Sequence, residues 1–487
     1  MYRYLARATS LAGLLRALSH WSWWLGLVLG VPGLLLRDPK LVSVAGVFLP
    51  LGFLLDDVAR GKSGGITAMT AYSGSAIATS VANTAALLAA DTPDRWKYYL
   101  YVSEPNVFLA MCLALAAAVV PPFIGRLASG KGTAGVLRDM LPKVRGEIAD
   151  GQLVGGGVAV GLLAVVFHWQ FPAAALGTLN NIVFLMPLFV AFVLARAGTE
   201  RNVRGALSGA LAVAVAEAIR AALFGYLRGD AVAPIVAFVL GTLAGDRSLR
   251  PLKSRVFMPV YALMALFVAY FGAYGAMRAH AAPGLQRIEA VVAYRDNMRE
   301  MSSEQDQTVL SRLTTVNQLS QVGRLAESGG FLNGQTLSYL WYAFIPRFLW
   351  RDKPSIASGA WFALQIGQAN VGPDGTIRNS VNMTIPGELY LNFGWTGVFV
   401  GLAFLGVFIT ALWRTTEFWR NSRNVLGSAF AFYLAWPWIG FSLGADLQIL
   451  VTLIAVYLVL LVAGWFLPAL RRHSRLMRSH SLPAASA

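Results

Sequence analysis

The chain has 487 residues, 56% of them hydrophobic and only 13% charged, with a net charge of +16 and a mean hydropathy of +0.57. Ordinary soluble proteins carry about 25% charged residues, so a soluble fold of this size is excluded, and so much apolar material excludes disorder. A single cysteine, Cys112 in an apolar run, excludes a disulfide scaffold.

A spanning helix needs about 20 largely apolar residues. Runs near that length fall at 21–36, 41–55, 66–90, 98–124, 152–171, 173–196, 205–226, 231–245, 256–280, 395–413, 427–445 and 447–467. They predict an all-α polytopic membrane protein with about twelve spans. Leu11, Leu14, Leu15 and Leu18 give the first twenty residues an apolar face that suits the membrane surface. Trp21, Trp23 and Trp24 then read as an interfacial anchor, with no cleavage site of the signal-peptide kind after them. The runs 21–36 and 41–55 are short, and Arg37-Asp38-Pro39-Lys40 between them makes either a helical hairpin or two tilted spans. The run 66–90 is weak by hydropathy, but its Ala, Ser and Thr suit close helix packing.

Basic residues set the orientation. With the N-terminus inside, cytoplasmic segments hold most of the 40 Lys and Arg, among them Arg126, Lys131, Arg138, Lys143 and Arg145, and the arginines 471, 472, 475 and 478. This predicts both termini in the cytoplasm, explains most of the +16 as topology and leaves no need for nucleic acid. The expected organisation is an N-terminal membrane domain of about nine spans (1–280), a large, partly helical extracytoplasmic loop (281–394), three C-terminal spans (395–470) and a cytoplasmic tail (471–487). The loop breaks the charge rule, since Arg312, Arg324, Arg347, Arg351, Lys353 and Arg378 all lie in it. Val309, Leu310, Leu313, Val316 and Leu319 mark an amphipathic helix there, with Ser311, Thr315 and Gln318 on its other side. The segment 331–350 is aromatic, as an interfacial segment is.

Several chemistries find no support. The five histidines, at 20, 168, 280, 473 and 480, are not at metal-ligand spacing. Asp56-Asp57 reads as a solvated cytoplasmic turn. Gly61-Lys62-Ser63 has the end of a phosphate-binding loop but Asp56 where the first glycine belongs. Gly440-Phe441-Ser442-Leu443-Gly444 has the letters of a nucleophile elbow but lies within an apolar run, where small residues serve packing.

Other residues stand out. Arg220 lies inside an apolar run with Glu217 one turn before it, either a local ion pair or part of a cationic pocket. Arg347, Arg351 and Lys353 are interleaved with Phe348 and Trp350, a set that suits anionic lipid headgroups or a diphosphate. Arg312 and Arg378 join them if the loop folds back, and Tyr342, Trp350 and Trp361 offer faces for sugar rings. Glu388, where the loop meets the next span, is either a general base or a salt-bridge partner of a loop arginine.

The segment Phe344-Ile345-Pro346-Arg347-Phe348-Leu349-Trp350-Arg351-Asp352-Lys353-Pro354 resembles the IPRxxWPxKP stretch of bacterial O-antigen and exopolysaccharide polymerases of the Wzy type. Gly387-Glu388-Leu389-Tyr390-Leu391-Asn392-Phe393-Gly394-Trp395 is similar to a second stretch of that family, and Ser311-Arg312-Leu313 more weakly to such loops. Arg351 departs from the pattern, where a proline is expected. The resemblance covers roughly 310–400 and implies a GT-C-like glycosyltransferase of the bacterial inner membrane. Such an enzyme transfers a growing glycan from undecaprenyl diphosphate onto a new lipid-linked repeat unit at the outer face, without a metal or other cofactor. The resemblance also implies partners, a chain-length regulator and export proteins. In this reading Arg347, Arg351, Lys353, Arg220, Arg378 and Arg312 hold the diphosphate, and Glu388 is the base or orients an arginine. A ligase of finished glycan is the nearest alternative, although ligases are expected to carry a histidine in this loop, and here His280 stands only at its entrance. A lipid-linked oligosaccharide flippase is the alternative from another class, and the chain lacks the two related halves common in transporters.

Overall fold

A computed structural model of the chain describes residues 11–60, 67–89, 103–129, 141–170, 185–224, 228–245, 258, 314–343, 345, 350, 352, 354, 358–369, 371, 377, 380–418, 421, 423–441 and 447–480. The elements are helices; among the described residues only isolated bridges, Glu147 with Asn424 and Val371 with Ile377, have β character. Among the described residues six helices are long and apolar enough to cross a membrane, and Val232–Gly245 and Val425–Trp438 are shorter apolar helices. The chain is a polytopic helical membrane protein. The run 256–280, Gly61-Lys62-Ser63 and Ser442-Leu443-Gly444 lie outside the described residues, apart from Met258.

The chain forms two compact units. The first comprises 1–142, 307–415 and 434–454. It opens with a hairpin of α1 (Leu11–Leu35) and α2 (Pro39–Ala59), turned at Asp38, whose carboxylate accepts from the Lys40 and Leu41 amides. The hairpin is the outcome for the short pair of runs, and the expected surface helix is continuous with its first arm. Small residues let the arms close: a methyl group on Gly26 would stand 2.6 Å from Leu49, and one on Gly30 would stand 3.1 Å from Ala45. In α3 (Ala68–Ala89), Ser73, Ala76, Thr79, Ala82 and Asn83 are buried, as the small-residue reading expects.

α4 (Glu104–Ser129) contains Pro121 and Pro122. Pro121 has no N–H to give the Ala117 carbonyl one turn earlier. The Tyr72 hydroxyl of α3 donates to that carbonyl at 2.7 Å, which satisfies a group that lipid cannot. At the other end of α4, Arg126 reaches Asp56 at 2.8 Å and Asp57 at 2.7 Å and lies over the Phe53 ring. The solvated reading of Asp56-Asp57 fails here: α2 continues through both residues, and Asp57 is buried, accepting also from the Thr70 hydroxyl.

The second unit comprises 143–306, 416–433 and 455–487. Its described helices include α5 (Asp150–Gln170), α6 (Met186–Glu200), α7 (Ala206–Phe224) and α8 (Arg228–Gly245). Buried Arg196 donates to Ser428 Oγ, to the Phe418 carbonyl and to Glu200, and its guanidinium lies 3.8 Å over the Phe418 ring. Asn424 joins two segments: its Oδ1 accepts from the Gly146 and Gly427 amides, and its Nδ2 donates to the Val144 carbonyl. Lys143 and Arg145 both pair with Glu417.

Among the described residues six α-helices follow, the first five being α9 (Val316–Gly329), α10 (Tyr339–Tyr342), α11 (Ser358–Gln365), α12 (Ile385–Thr415) and α13 (Val425–Phe441). The last, α14, is Gln448–His480. In the first unit, Val322 of α9, Phe362 of α11, Met383 and Leu391 of α12 form a buried apolar cluster.

Candidate functional site

The site is built on α12, which is broken. Gly394 has φ 63 and ψ −154, a backbone state essentially closed to residues with a Cβ. In a straight helix, residues 389 and 401 would lie about 18 Å apart. Here Leu389 packs against Gly401: a methyl group on Gly401 would meet its side chain at 2.6 Å, and one on Gly397 would meet the Leu389 carbonyl oxygen at 2.8 Å. The limb 385–393 therefore folds back along the limb 395–415, and the glycines at 394, 397 and 401 provide the groove. The apolar run that begins at 395 marks only the second limb.

A break frees carbonyls. The carbonyl oxygens of Leu391 and Asn392 would normally accept from residues 395 and 396. Instead they accept from the amides of Leu332 and Asn333, each at 3.0 Å. Asn392, fully buried, completes the clamp: its Nδ2 donates to Thr336 Oγ1 at 2.6 Å and to the Glu388 carbonyl at 2.7 Å, and its Oδ1 accepts from the Gly334 amide at 2.9 Å. The folded-back limb and the turn 332–336 are thus one structural piece.

Glu388 lies on this limb and is 1% exposed. The Tyr339 hydroxyl donates to its Oε2 at 3.4 Å. Tyr339 is itself buried against Ala343 and Val451, with Tyr342 packed beside them. The Tyr342 and Trp350 rings meet edge to face, with centroids 6.0 Å apart. Trp350 is 39% exposed and Trp341 82%, so this aromatic segment is covered on one side only. Trp361 packs against the apolar cluster of Val322 and Phe362, which makes it partly a core residue.

α9 braces the limb from the other side. A methyl group on Gly387 would meet Leu319 at 3.1 Å and Val322 at 3.2 Å. The Thr315 amide and the Thr314 hydroxyl donate to Asn83 Oδ1 of α3, and Asn106 Nδ2 of α4 donates to Glu327. The predicted apolar face of the loop helix is borne out at Val316 and Leu319, although the described helix begins only at Val316.

Of the basic residues singled out in the sequence, Arg312, Arg347, Arg351, Lys353 and Arg378 lie outside the described residues. Arg220 belongs to the second unit, where it makes a bidentate pair with Glu217, Nε to Oε2 at 2.9 Å and Nη2 to Oε1 at 2.7 Å. Both partners are buried, and the ion pair of the local alternative is present within one helix. Sequence reasoning missed Tyr339, Thr336 and Asn392. A polar Asn one turn after Glu388 and two residues before a glycine was the available signal for Asn392; Tyr339 and Thr336 are set by contacts from far along the chain. Among the described residues, no three of His, Cys, Asp and Glu stand together as a metal-binding group. Compared with protein-family models, curated proteins and solved structures, the chain matches none.

Proposed function

We propose that the chain is a glycosyltransferase that polymerises a surface polysaccharide. Its substrates are undecaprenyl-diphosphate-linked oligosaccharide repeat units, joined at the outer face of the bacterial inner membrane, with both termini of the chain in the cytoplasm. The observation that carries the reading is the buried Glu388 carboxylate, clamped on a folded-back limb within the segment whose two motifs resemble the Wzy-type polymerases.

The chemistry follows from the residue types. An acceptor sugar hydroxyl attacks the anomeric carbon of the donor glycan; the new C–O bond forms as the bond to the diphosphate breaks. Glu388 takes the hydroxyl proton, and undecaprenyl diphosphate leaves with the bonding electrons. Charge grows on the diphosphate, which Arg347, Arg351 and Lys353 are suited to hold, with Arg312 and Arg378 as further candidates; two arginine forks and an ammonium are the groups such a leaving group needs. Tyr342 and Trp350 offer exposed ring surface to the glycan.

Deleting the gene from the source cells tests this. The expected result is loss of long-chain surface polysaccharide and accumulation of lipid-linked single repeat units, restored by the wild-type gene. An Arg347→Ala gene expressed at wild-type level should leave chains short; full-length polymer from it would remove the diphosphate role. Unchanged polysaccharide in the deletion would reject the polymerase reading. Normal-length polymer left on its lipid carrier would point to a ligase.

A further inference from the structure

Three aromatic rings meet at the bend of α12. α9 is capped by Gly330, whose φ of 74 and ψ of −172 form a backbone state essentially reserved for glycine, and the turn there carries Phe331 to the bend. A methyl group on Gly394 would stand 3.0 Å from the Phe331 ring, so that ring lies against bare backbone. Tyr390, on the folded-back limb, meets Phe331 edge to face with centroids 5.7 Å apart. It meets Trp395, at the start of the second limb, in the same way at 5.7 Å. Tyr390 also packs against the buried cluster of Val322, Phe362, Met383 and Leu391, which fixes it. Phe331 is 48% exposed and Trp395 38%, so the fixed rings keep open surface.

A carboxylate stands beside them. Glu327, near the end of α9, is close enough to the Tyr390 hydroxyl to act on it electrostatically. Asn106 Nδ2 of α4 donates to its Oε2 at 3.2 Å, so this exposed carboxylate is held in place. Exposed aromatic residues of a membrane protein often serve as interfacial anchors, and Trp465, 79% exposed on α14, suits that description. The rings at the bend differ from an anchor in two ways. They are held by one another and by the core, and a fixed negative charge lies among them, which repels the phosphates of lipid headgroups.

We infer that Phe331, Tyr390, Trp395 and Glu327 form a subsite for a saccharide of the growing glycan. The C–H face of a pyranose ring is apolar and slightly positive, which suits the negative face of an aromatic ring. Its hydroxyls are donors, and a carboxylate offers about four acceptor positions, in bonds about twice as strong as those between neutral groups. Tyr390 follows Glu388 by two residues, roughly 200° around the limb. The subsite therefore lies across the limb from Glu388 and touches no reacting atom. It holds the glycan some sugars away from the bond being made and keeps the chain on the enzyme between additions. The inference rests on the polymerase reading for the identity of the glycan.

The test uses purified full-length protein in nanodiscs. The probe is the surface polysaccharide of the source cells, freed from its lipid by mild acid, and titration calorimetry reads its dissociation constant. Glu327→Gln keeps an acceptor for Asn106 and loses the charge, so the constant should rise about five- to tenfold. Trp395→Leu should raise it by a similar factor, whereas Trp465→Leu should leave it at the wild-type value. With the lipid-linked oligosaccharide pool as substrate, Glu327→Gln should give a ladder of shorter mean length. No binding by wild type, or equal affinity in wild type, Glu327→Gln and Trp395→Leu, would overturn the subsite; a wild-type ladder from the same preparation would leave the polymerase reading standing. Equal loss from Trp395→Leu and Trp465→Leu would overturn it too, by marking the rings as membrane anchors. Affinity lost only in Glu327→Gln and Trp395→Leu, in protein that makes no ladder, would support the saccharide site and reject the polymerase.

Discussion

Asn392→Ala should release the folded-back limb from the turn 332–336. The substitution deletes the bonds to Thr336 Oγ1 and the Glu388 carbonyl and leaves the Gly334 amide without its acceptor. A net hydrogen bond contributes about 0.5–1.5 kcal/mol, and a buried donor left unpaired costs about 1–3 kcal/mol. The local cost is therefore about 2–6 kcal/mol. Two backbone bonds, Leu332 to Leu391 and Asn333 to Asn392, remain and oppose full release. Amide hydrogen exchange in detergent reads this directly: amides 332–337 should exchange about 30-fold faster or more, while those of α2 and α4 hold their wild-type rates. Because the limb carries Glu388, activity should fall with the lost protection. Wild-type protection at Gly334 in the variant would refute the clamp and the positioning of Glu388 drawn from it.

Gly397→Leu should push the limb off its groove, since even a methyl group there meets the Leu389 backbone at 2.8 Å; cross-linking yield between cysteines placed at 389 and 401 in a Cys112→Ser background should fall, whereas it should persist in Gly74→Ala, where a methyl group meets nothing. Arg126→Ala should cost about 3–5 kcal/mol in thermal stability by stranding the buried Asp57, and Arg126→Ala/Asp57→Ala should recover part of that loss. Burial pushes the Glu417 carboxyl up, but the hydrogen bonds and charges of Arg145 and Lys143 outweigh it and hold the group below the usual range. A depressed carboxyl stabilises above its unfolded value of about 4.3 and loses that contribution as pH falls through the folded value. Exchange at Gly146 should therefore quicken below about pH 4 in wild type, and Glu417→Gln should show no such acid step.

What the sequence made legible was set by local pattern. Apolar runs announce spans because lipid demands continuous burial, and the small residues of 66–90 announced a packing helix that hydropathy undervalues. Val316 and Leu319 announced their buried face by periodicity. The folded-back limb was hidden because its glycines, 394, 397 and 401, read as ordinary small residues of a span; only the path of the chain shows that they receive Leu389. Asp57 read as solvated because its partner, Arg126, lies 69 residues away. Tyr72 gave no hint that it serves the carbonyl freed by Pro121, since the contact crosses two helices. At the candidate site, Glu388 stood out as a carboxylate at a span's edge. Tyr339, which bonds it, and Thr336, which bonds Asn392 on the same limb, lie 49 and 56 residues before their partners in the chain.

The most direct measurement pairs wild type with Glu388→Gln, both purified in nanodiscs with EDTA, on the lipid-linked oligosaccharide pool from cells lacking the gene. Gels and mass spectrometry read the chain length of the product, and a melting curve checks each protein. The account predicts a ladder from wild type and single repeat units from Glu388→Gln at an unchanged melting temperature. A full ladder from Glu388→Gln would contradict the role of the buried carboxylate.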